Sequence, residues 1–305
     1  MAWEHAFDQW AAEHLPGLTI AAEEPMSRHT SFRTGGPARR MAFPKTVEEV
    51  TALMEAAEAL DARPFILGNG TNLLAPDEGL DRLVVSLSNL KEIRTAGEEN
   101  VLTAEAGVQL ARLADFACQQ GLTGLEFAHG IPGSLGGAVY MNGGAYGGEM
   151  GQVVVRVQAW FPGEGLRTMA VEELDMSYRH SFFMDHPEAV ILSADLRLSP
   201  GDPETIRAAM RELMQKRKAS QPLEWPSAGS TFKRPTGYFA GTLIDQCGLK
   251  GLTIGGAQVS EKHAGFVINI GGATSADILA LMAEVQRIVY EQKGVRLEPE
   301  VRVIR

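Results

Sequence analysis

Residues able to move protons or grip an anion stand in a few short clusters of this 305-residue sequence. In PSAGSTFKRP, residues 226–235, Ser230 can donate one hydrogen bond or one proton, and the small residues at 227–230 leave room for a ligand. Lys233 and Arg234 add positive charge just beyond it. PSAGS is not the GxSxG nucleophile elbow and no His/Asp arrangement accompanies it, so a serine hydrolase is disfavoured. An incidental serine at a loop–strand transition would look the same. Arg179, in SYRHS at 177–181, follows an expected turn, where a guanidinium can clamp a carboxylate or phosphate through two parallel hydrogen bonds. The same arginine in a surface ion pair would carry no chemistry. Glu298 and Glu300 of LEPEVRVIR stand just before an alternating strand. Enclosed beside Arg179, Glu300 would help stabilise charge developing on a bound carboxylate; on the surface it would form a plain charge pair. Lys262 and His263 either face substrate phosphates or end a solvated loop.

Two glycine-rich segments suggest what those groups serve. In LGNGTN, residues 67–72, Gly68 and Gly70 permit a tight or left-handed backbone that can aim successive N–H groups at an anion. The segment matches neither GxGxxG nor GxxxxGK[ST], and a plain tight turn needs no more than it contains. GIPGSLGGA, residues 130–138, has four glycines and a proline in nine residues. That composition is costly in chain entropy unless the backbone follows an unusual path or closely approaches a ligand. Asn142, Gly143 and Gly144 extend the irregular stretch. Two separated turns of this kind favour a bound nucleotide or dinucleotide over simple surface loops, without specifying a flavin. The seven histidines include no HExxH, and Cys118 and Cys247 form neither a CxxC site nor a disulfide framework, so no metal centre is expected.

Regular elements must hold these pieces. The spacing predicts an amphipathic helix over 1–20 closed by Pro16-Gly17, and a helix over 47–60 opened by a Thr46/Glu49 capping box. Further helices are expected at 108–120, 202–218 and 275–293, the first ending at Gly121 and the last at Gly294. Strands are expected within 64–74, in LDRLVVSL and ENVLTAEAG, and at 153–161, 189–198 and 296–304. A change of composition near 199–203 marks the best boundary, with a cofactor module before it and a smaller α+β substrate module after it. A formal charge of −10 argues against general polyanion binding, so nucleic acid is not expected as a partner. No apolar run approaches the ~20 residues needed to cross a bilayer, and MAWEHAFDQW does not read as a signal peptide. A cytoplasmic protein without membrane insertion is expected, of undetermined oligomeric state.

Taken in order, FRTGGPA (32–38), LGNGTN (67–72), GIPGSLGGAVYMNGGAYG (130–147), SYRHS (177–181), PSAGSTFKRP (226–235), GLKGLTIGGAQVSEKHAGFVIN (248–269) and LEPEVR (297–302) resemble the UDP-N-acetylenolpyruvoylglucosamine reductases, in the shorter of that family's structural classes. Thr71, Ser134, Gly144 and His129 depart from the commonest family wording and bear on fine cofactor geometry more than on the reaction. The resemblance implies an α+β fold: a two-part FAD-binding module of the vanillyl-alcohol-oxidase (PCMH) type plus a smaller α+β substrate-binding domain, not a Rossmann fold. The expected division is 1–82 and 83–200 for the FAD-binding subdomains, 201–295 for the substrate domain, and 296–305 for a C-terminal strand carrying a catalytic glutamate.

The resemblance also implies NADPH-dependent reduction of UDP-N-acetylglucosamine enolpyruvate to UDP-N-acetylmuramate through FAD, in peptidoglycan precursor synthesis. Arg179, Ser230 and Glu300 would be catalytic, Ser230 giving the proton to C2. The FAD-holding residues would be Gly68, Asn69, Gly70, Thr71, Asn72, Gly130, Ile131, Pro132, Gly133, Ser134, Gly136, Gly137 and Ala138. Arg179, Lys218, Lys233, Lys262 and His263 would face the substrate. A related FAD oxidoreductase with another substrate would keep the glycine loops without needing the catalytic trio. A nonredox UDP-sugar-binding regulator would lack a bound flavin.

Overall fold

The computed structural model describes residues 3–62 and 64–304. The part of the expected first helix at residues 1 and 2 lies outside them. The chain divides into two compact units, one of Met1–Ala22, Arg40–Asn69 and Arg82–Lys216, the other of Glu23–Arg39, Gly70–Asp81 and Arg217–Arg305. Each unit has its own apolar core.

The first unit is built on a five-stranded, wholly antiparallel sheet. Its order is Gly165–Ala170, Val154–Phe161, Val190–Arg197, Val101–Glu105 and Ile93–Thr95. An all-antiparallel sheet cannot be the doubly wound parallel sheet of a Rossmann fold. Helix Leu110–Gln119 buries Leu110, Leu113, Ala114, Ala117 and Cys118, the i, i+3, i+4 stripe that faces a core. Gly121, at φ +69, supplies the left-handed residue just beyond its end. The short helix Leu135–Tyr140 packs on the two strands Val190–Arg197 and Val101–Glu105. The glycine-rich segment is thereby anchored to the middle of the sheet. A second sheet, ordered Thr19–Pro25, Pro37–Phe43, Leu80–Ser86 and Phe65–Leu67, has the last two strands parallel.

The second unit centres on helix Ser275–Lys293, which buries Ile278, Leu281, Met282, Val285 and Val289. Thr274 and Asp277 form a reciprocal capping box at its start, and Gly294, at φ +68, ends it. The helix lies against the hairpin of Thr253–Ile254 and Ala257–Val259, which is extended by Val267–Asn269.

Three local expectations need correction. The first helix runs only over Trp3–His14, because the chain after Pro16-Gly17 becomes the strand Thr19–Pro25. Thr46 caps helix Val47–Ala59 by accepting from the Glu49 N–H, but the Glu49 carboxylate takes the N–H of Lys45, not that of Thr46. Within the stretch expected to be a strand at 296–304, only Arg302–Val303 is regular, paired in parallel with Leu73–Leu74. Pro299, which has no N–H to offer a ladder, precedes it.

Candidate active site

In the first unit, strand Phe65–Leu67 delivers Gly68 and Asn69 to the glycine-rich segment. Asn69 Nδ2 donates to the carbonyl of Pro132 at 3.4 Å. A Cβ on Gly68 would stand 2.6 Å from Ser134 Oγ, so a side chain there would displace that hydroxyl. Residues 106–110 pair with 133–136: Leu110 N donates to Gly133 O, Leu135 N to Val108 O and Gly136 N to Ala106 O, at 2.8–3.0 Å. Ser134 precedes the short helix without capping it. Its hydroxyl is buried, with 2 % of the residue exposed, and has no hydrogen-bond partner. An orphaned hydroxyl beside space reserved by a glycine is the kind of group that a polar ligand satisfies. The cradle fits a pyrophosphate-bearing cofactor on that ground. Gly130, Ile131, Gly133 and Ala138 line the same backbone path, while Pro132 and Gly137 are exposed.

Arg179 belongs to this unit as well. It sits in a tight turn in which Ser177 and His180 exchange backbone hydrogen bonds of 3.1 and 3.2 Å. Its φ is +56, a left-handed conformation that a non-glycine residue adopts only when its surroundings impose it. The guanidinium is half-buried, donates from Nη2 to Gly144 O at 3.2 Å and lies over the Tyr178 ring. Gly144 opens a hairpin with Gly144↔Glu149 and Ala145↔Gly148 paired. Tyr146 and Gly147, both at positive φ, make its two-residue turn, which explains the AYGG wording. Two residues that the sequence reading left without a role fasten the Arg179 turn. Asn142 Nδ2 donates to Ser177 O at 2.9 Å, and Ser181 Oγ donates to Tyr140 O at 2.7 Å. The only hint of this in the sequence is an asparagine in a run otherwise built of glycine.

In the second unit, the structure brings the segments that bear Ser230 and Glu300 side by side, around the single bridge Phe232↔Pro299. Residues 231–233 run antiparallel to 298–300: Glu300 N donates to Thr231 O and Lys233 N to Glu298 O, both at 2.8 Å. On the other side, Thr231 N donates to Gly265 O, and Thr231 Oγ1 accepts from Val267 N at 2.9 Å. Ser230 is exposed, next to fully buried Thr231, and Glu300 is half-buried. Asn72 reaches the same place: its Nδ2 donates to Glu300 O at 2.9 Å, and its carbonyl accepts from Arg302 N at 3.0 Å. Gly70, at φ +61, faces the His29 carbonyl so closely that a Cβ would stand 1.8 Å from that oxygen. Thr71, between them, is half-buried.

Two of the remaining candidate cations in this unit have their own partners. Lys233 Nζ pairs with Glu298 at 2.5 Å, and Lys262 Nζ donates to the carbonyl of Lys218 at 2.8 Å. The Lys218 side chain is exposed. His263 Nδ1 accepts from Gly265 N at 3.1 Å, which leaves the proton of the neutral ring on Nε2. Burial holds this imidazole below the ordinary histidine range, partly opposed by a backbone hydrogen bond and aided by the Lys250 charge. Among the described residues, no group of three His, Cys, Asp or Glu could hold a metal ion, and no helix is long and apolar enough to cross a membrane.

Comparison with known proteins agrees with this layout. Residues 38–168 match the family described as FAD binding domain, and residues 221–304 match UDP-N-acetylenolpyruvoylglucosamine reductase, C-terminal domain. The chain is 48 % identical to the UDP-N-acetylenolpyruvoylglucosamine reductase of Pediococcus pentosaceus over 97 % of its own length and 98 % of that protein. It is 47 % identical to the Lactiplantibacillus plantarum protein of the same name, over 95 % of each. The crystal structure of the Thermus caldophilus reductase superposes with a TM-score of 0.80 at 34 % identity, covering 94 % of this chain and 99 % of that one.

Proposed function

This chain belongs to the UDP-N-acetylenolpyruvoylglucosamine reductase family, and from that premise we propose how its own residues carry the reaction. The protein is an FAD-containing, NADPH-dependent oxidoreductase that reduces UDP-N-acetylglucosamine enolpyruvate to UDP-N-acetylmuramate in peptidoglycan precursor synthesis. Bound FAD would supply the hydride chemistry that links NADPH to C3 of the enolpyruvyl group. Gly68–Asn72 and Gly130–Ala138 hold it, a reading supported by the orphaned Ser134 hydroxyl beside Gly68.

Once C3 has gained hydride, an electron pair remains on C2 and spreads into the adjacent carboxylate. Arg179 grips that carboxylate with its planar guanidinium, and Glu300 polarises it. Ser230 gives its hydroxyl proton to C2, which completes the lactyl group. A serine hydroxyl is a weak acid, so the step depends on a strongly basic carbon and on close placement. The observation that supports this assignment is the hydrogen bond from Glu300 N to Thr231 O, which sets the segment of Glu300 beside that of Ser230. Lys218, Lys233, Lys262 and His263 serve the substrate side, Lys233 through a charge that Glu298 already orients.

The functional division follows 1–82 and 83–200 for FAD, 201–295 for substrate and 296–305 for the C-terminal segment with Glu300. It is supported by the five-stranded sheet lying wholly between residues 93 and 197. A nucleotide-sugar substrate and NADPH are both met in the cytoplasm, where we place the enzyme, acting without nucleic acid or membrane insertion.

Anaerobic stopped-flow absorbance separates the two half-reactions. Ser230→Ala should leave flavin reduction by NADPH intact and slow substrate-driven reoxidation by roughly 10²–10⁴-fold, the usual worth of a positioned general acid. Equal losses in both halves would remove Ser230 from the proton-donor role.

A further inference from the structure

Of the two buried side chains that fasten the Arg179 turn, Asn142 reaches it from the preceding glycine-rich segment. Asn142 is 0 % exposed and adopts φ +43, a region that asparagine tolerates better than most residues. Its carboxamide works in both directions. Nδ2 donates to Ser177 O at 2.9 Å, and Oδ1 accepts from Gly151 N at 2.8 Å. Ser177 O is also the carbonyl that accepts from His180 N to close the turn around Arg179. Two residues beyond Asn142, the Gly144 carbonyl accepts from the Arg179 guanidinium at 3.2 Å. One side chain therefore ties the turn that carries the arginine, and the segment bearing Asn142 supplies the arginine's own acceptor.

We infer that Asn142 is a positioning residue for Arg179, setting the guanidinium for the substrate carboxylate without touching substrate itself. The inference rests on Arg179 holding that carboxylate. Only a side chain with both a donor and an acceptor serves Ser177 and Gly151 together. Aspartate has nearly the same shape, tolerates the same backbone conformation and still accepts from Gly151. It then sets a carboxylate oxygen against the Ser177 carbonyl, where the donor stood. The turn loses its clamp while the glycine segment keeps its own. A shift of about 1 Å in a positioning group can cost on the order of 10²-fold in rate.

The test compares Asn142→Asp, Arg179→Ala and the double variant, each loaded with FAD. Asn142→Gly, which keeps the positive φ and removes both side-chain hydrogen bonds, is a second probe should the aspartate variant fail to fold. Two readouts are taken: the affinity of oxidised enzyme for UDP-N-acetylglucosamine enolpyruvate by calorimetry, and the two half-reaction rates by stopped flow. Asn142→Asp should weaken substrate binding by about tenfold and slow reoxidation by about 10–10²-fold, with flavin reduction by NADPH unchanged. In the Arg179→Ala background the same substitution should add nothing. An undiminished effect in that background, or equal damage to flavin reduction, would overturn the inference, as would wild-type binding by both Asn142 variants. If Arg179→Ala itself leaves substrate binding and reoxidation intact, the carboxylate reading of Arg179 has failed, and the role of Asn142 falls with it.

Discussion

The Arg179 turn and the paired segments that bear Ser230 and Glu300 are positioned by different means. Arg179 stands in a four-residue turn at positive φ, and the fastening described above comes from side chains, those of Asn142 and Ser181. Ser230 and Glu300 flank a backbone ladder in which Thr231, Lys233, Glu298 and Glu300 exchange main-chain hydrogen bonds. A ladder of this kind depends little on which side chains it bears, whereas a side-chain clamp fails with a single substitution. Ser230 and Glu300, the proposed proton donor and acid, thus sit beside backbone hydrogen bonds, and the arginine is held by removable props. The carboxylate grip proposed for Arg179 would tolerate this arrangement, because a guanidinium offers several donors in one plane and can follow its anion. A proton donor to carbon has no such latitude.

The largest effect that separates the two regions is expected from Arg179→Lys. Lysine keeps the charge but loses the planar fork, and its mobile ammonium cannot reproduce both the Gly144 contact and a bidentate grip. Substrate-driven reoxidation should slow by roughly 10²–10³-fold, on the basis of about 2.7–4 kcal/mol for one oriented donor to developing charge. Flavin reduction by NADPH should stay within twofold, and stopped-flow absorbance reads both. A lysine variant with wild-type reoxidation would show that charge alone suffices at this position.

Thr231→Val should do the reverse, lowering stability and sparing chemistry. Thr231 is fully buried, and its Oγ1 is the acceptor for Val267 N. Valine fills the same volume but orphans that N–H at a cost of about 1–3 kcal/mol. The backbone bond from Glu300 N to Thr231 O survives, so Ser230 and Glu300 keep their alignment. Thermal unfolding should shift downward, while both half-reaction rates at a permissive temperature remain those of the parent. Slower reoxidation in the valine variant would mean that the ladder alone does not hold the pair.

The same contrast decides what could be read from the sequence. Helix Ser275–Lys293 was legible because its span and its Gly294 stop lie within one local stretch. The glycine loops were legible as irregular backbone, and the cradle of Gly68 against Ser134 accounts for one of those glycines. Partners far apart in sequence were not. Nothing near Asn72 announces that its side chain holds the Glu300 carbonyl, 228 positions away. Nothing in SYRHS points back to Asn142, 35 residues before Ser177. The Thr46/Glu49 pair shows the limit even of local signals: the spacing allows a capping box, and the carboxylate instead takes the neighbouring Lys45 N–H. A short-range pattern fixes which groups can meet, and tertiary packing chooses among them.

His263 gives the smallest expected effect and tests the ladder region through pH. Its imidazole is half-buried beside the segment that supports Thr231, and Nδ1 accepts the Gly265 N–H. Protonating Nδ1 would remove that acceptor and place a charge in a desolvated site, so burial depresses the pKa below the ordinary 6.5. The unfolded chain therefore binds the proton more readily than the folded one. The stabilisation is fully present above about pH 6.5 and is lost as pH falls through the lower folded value. His263→Gln can keep an acceptor near Gly265 but has no proton to gain. Its denaturation midpoint, followed from pH 7.5 down to pH 5, should decline less steeply than that of the parent, with the two curves closest at the upper end. Parallel curves would mean that His263 titrates alike in both states, and the neutral, Nδ1-accepting ring would then no longer describe the folded protein.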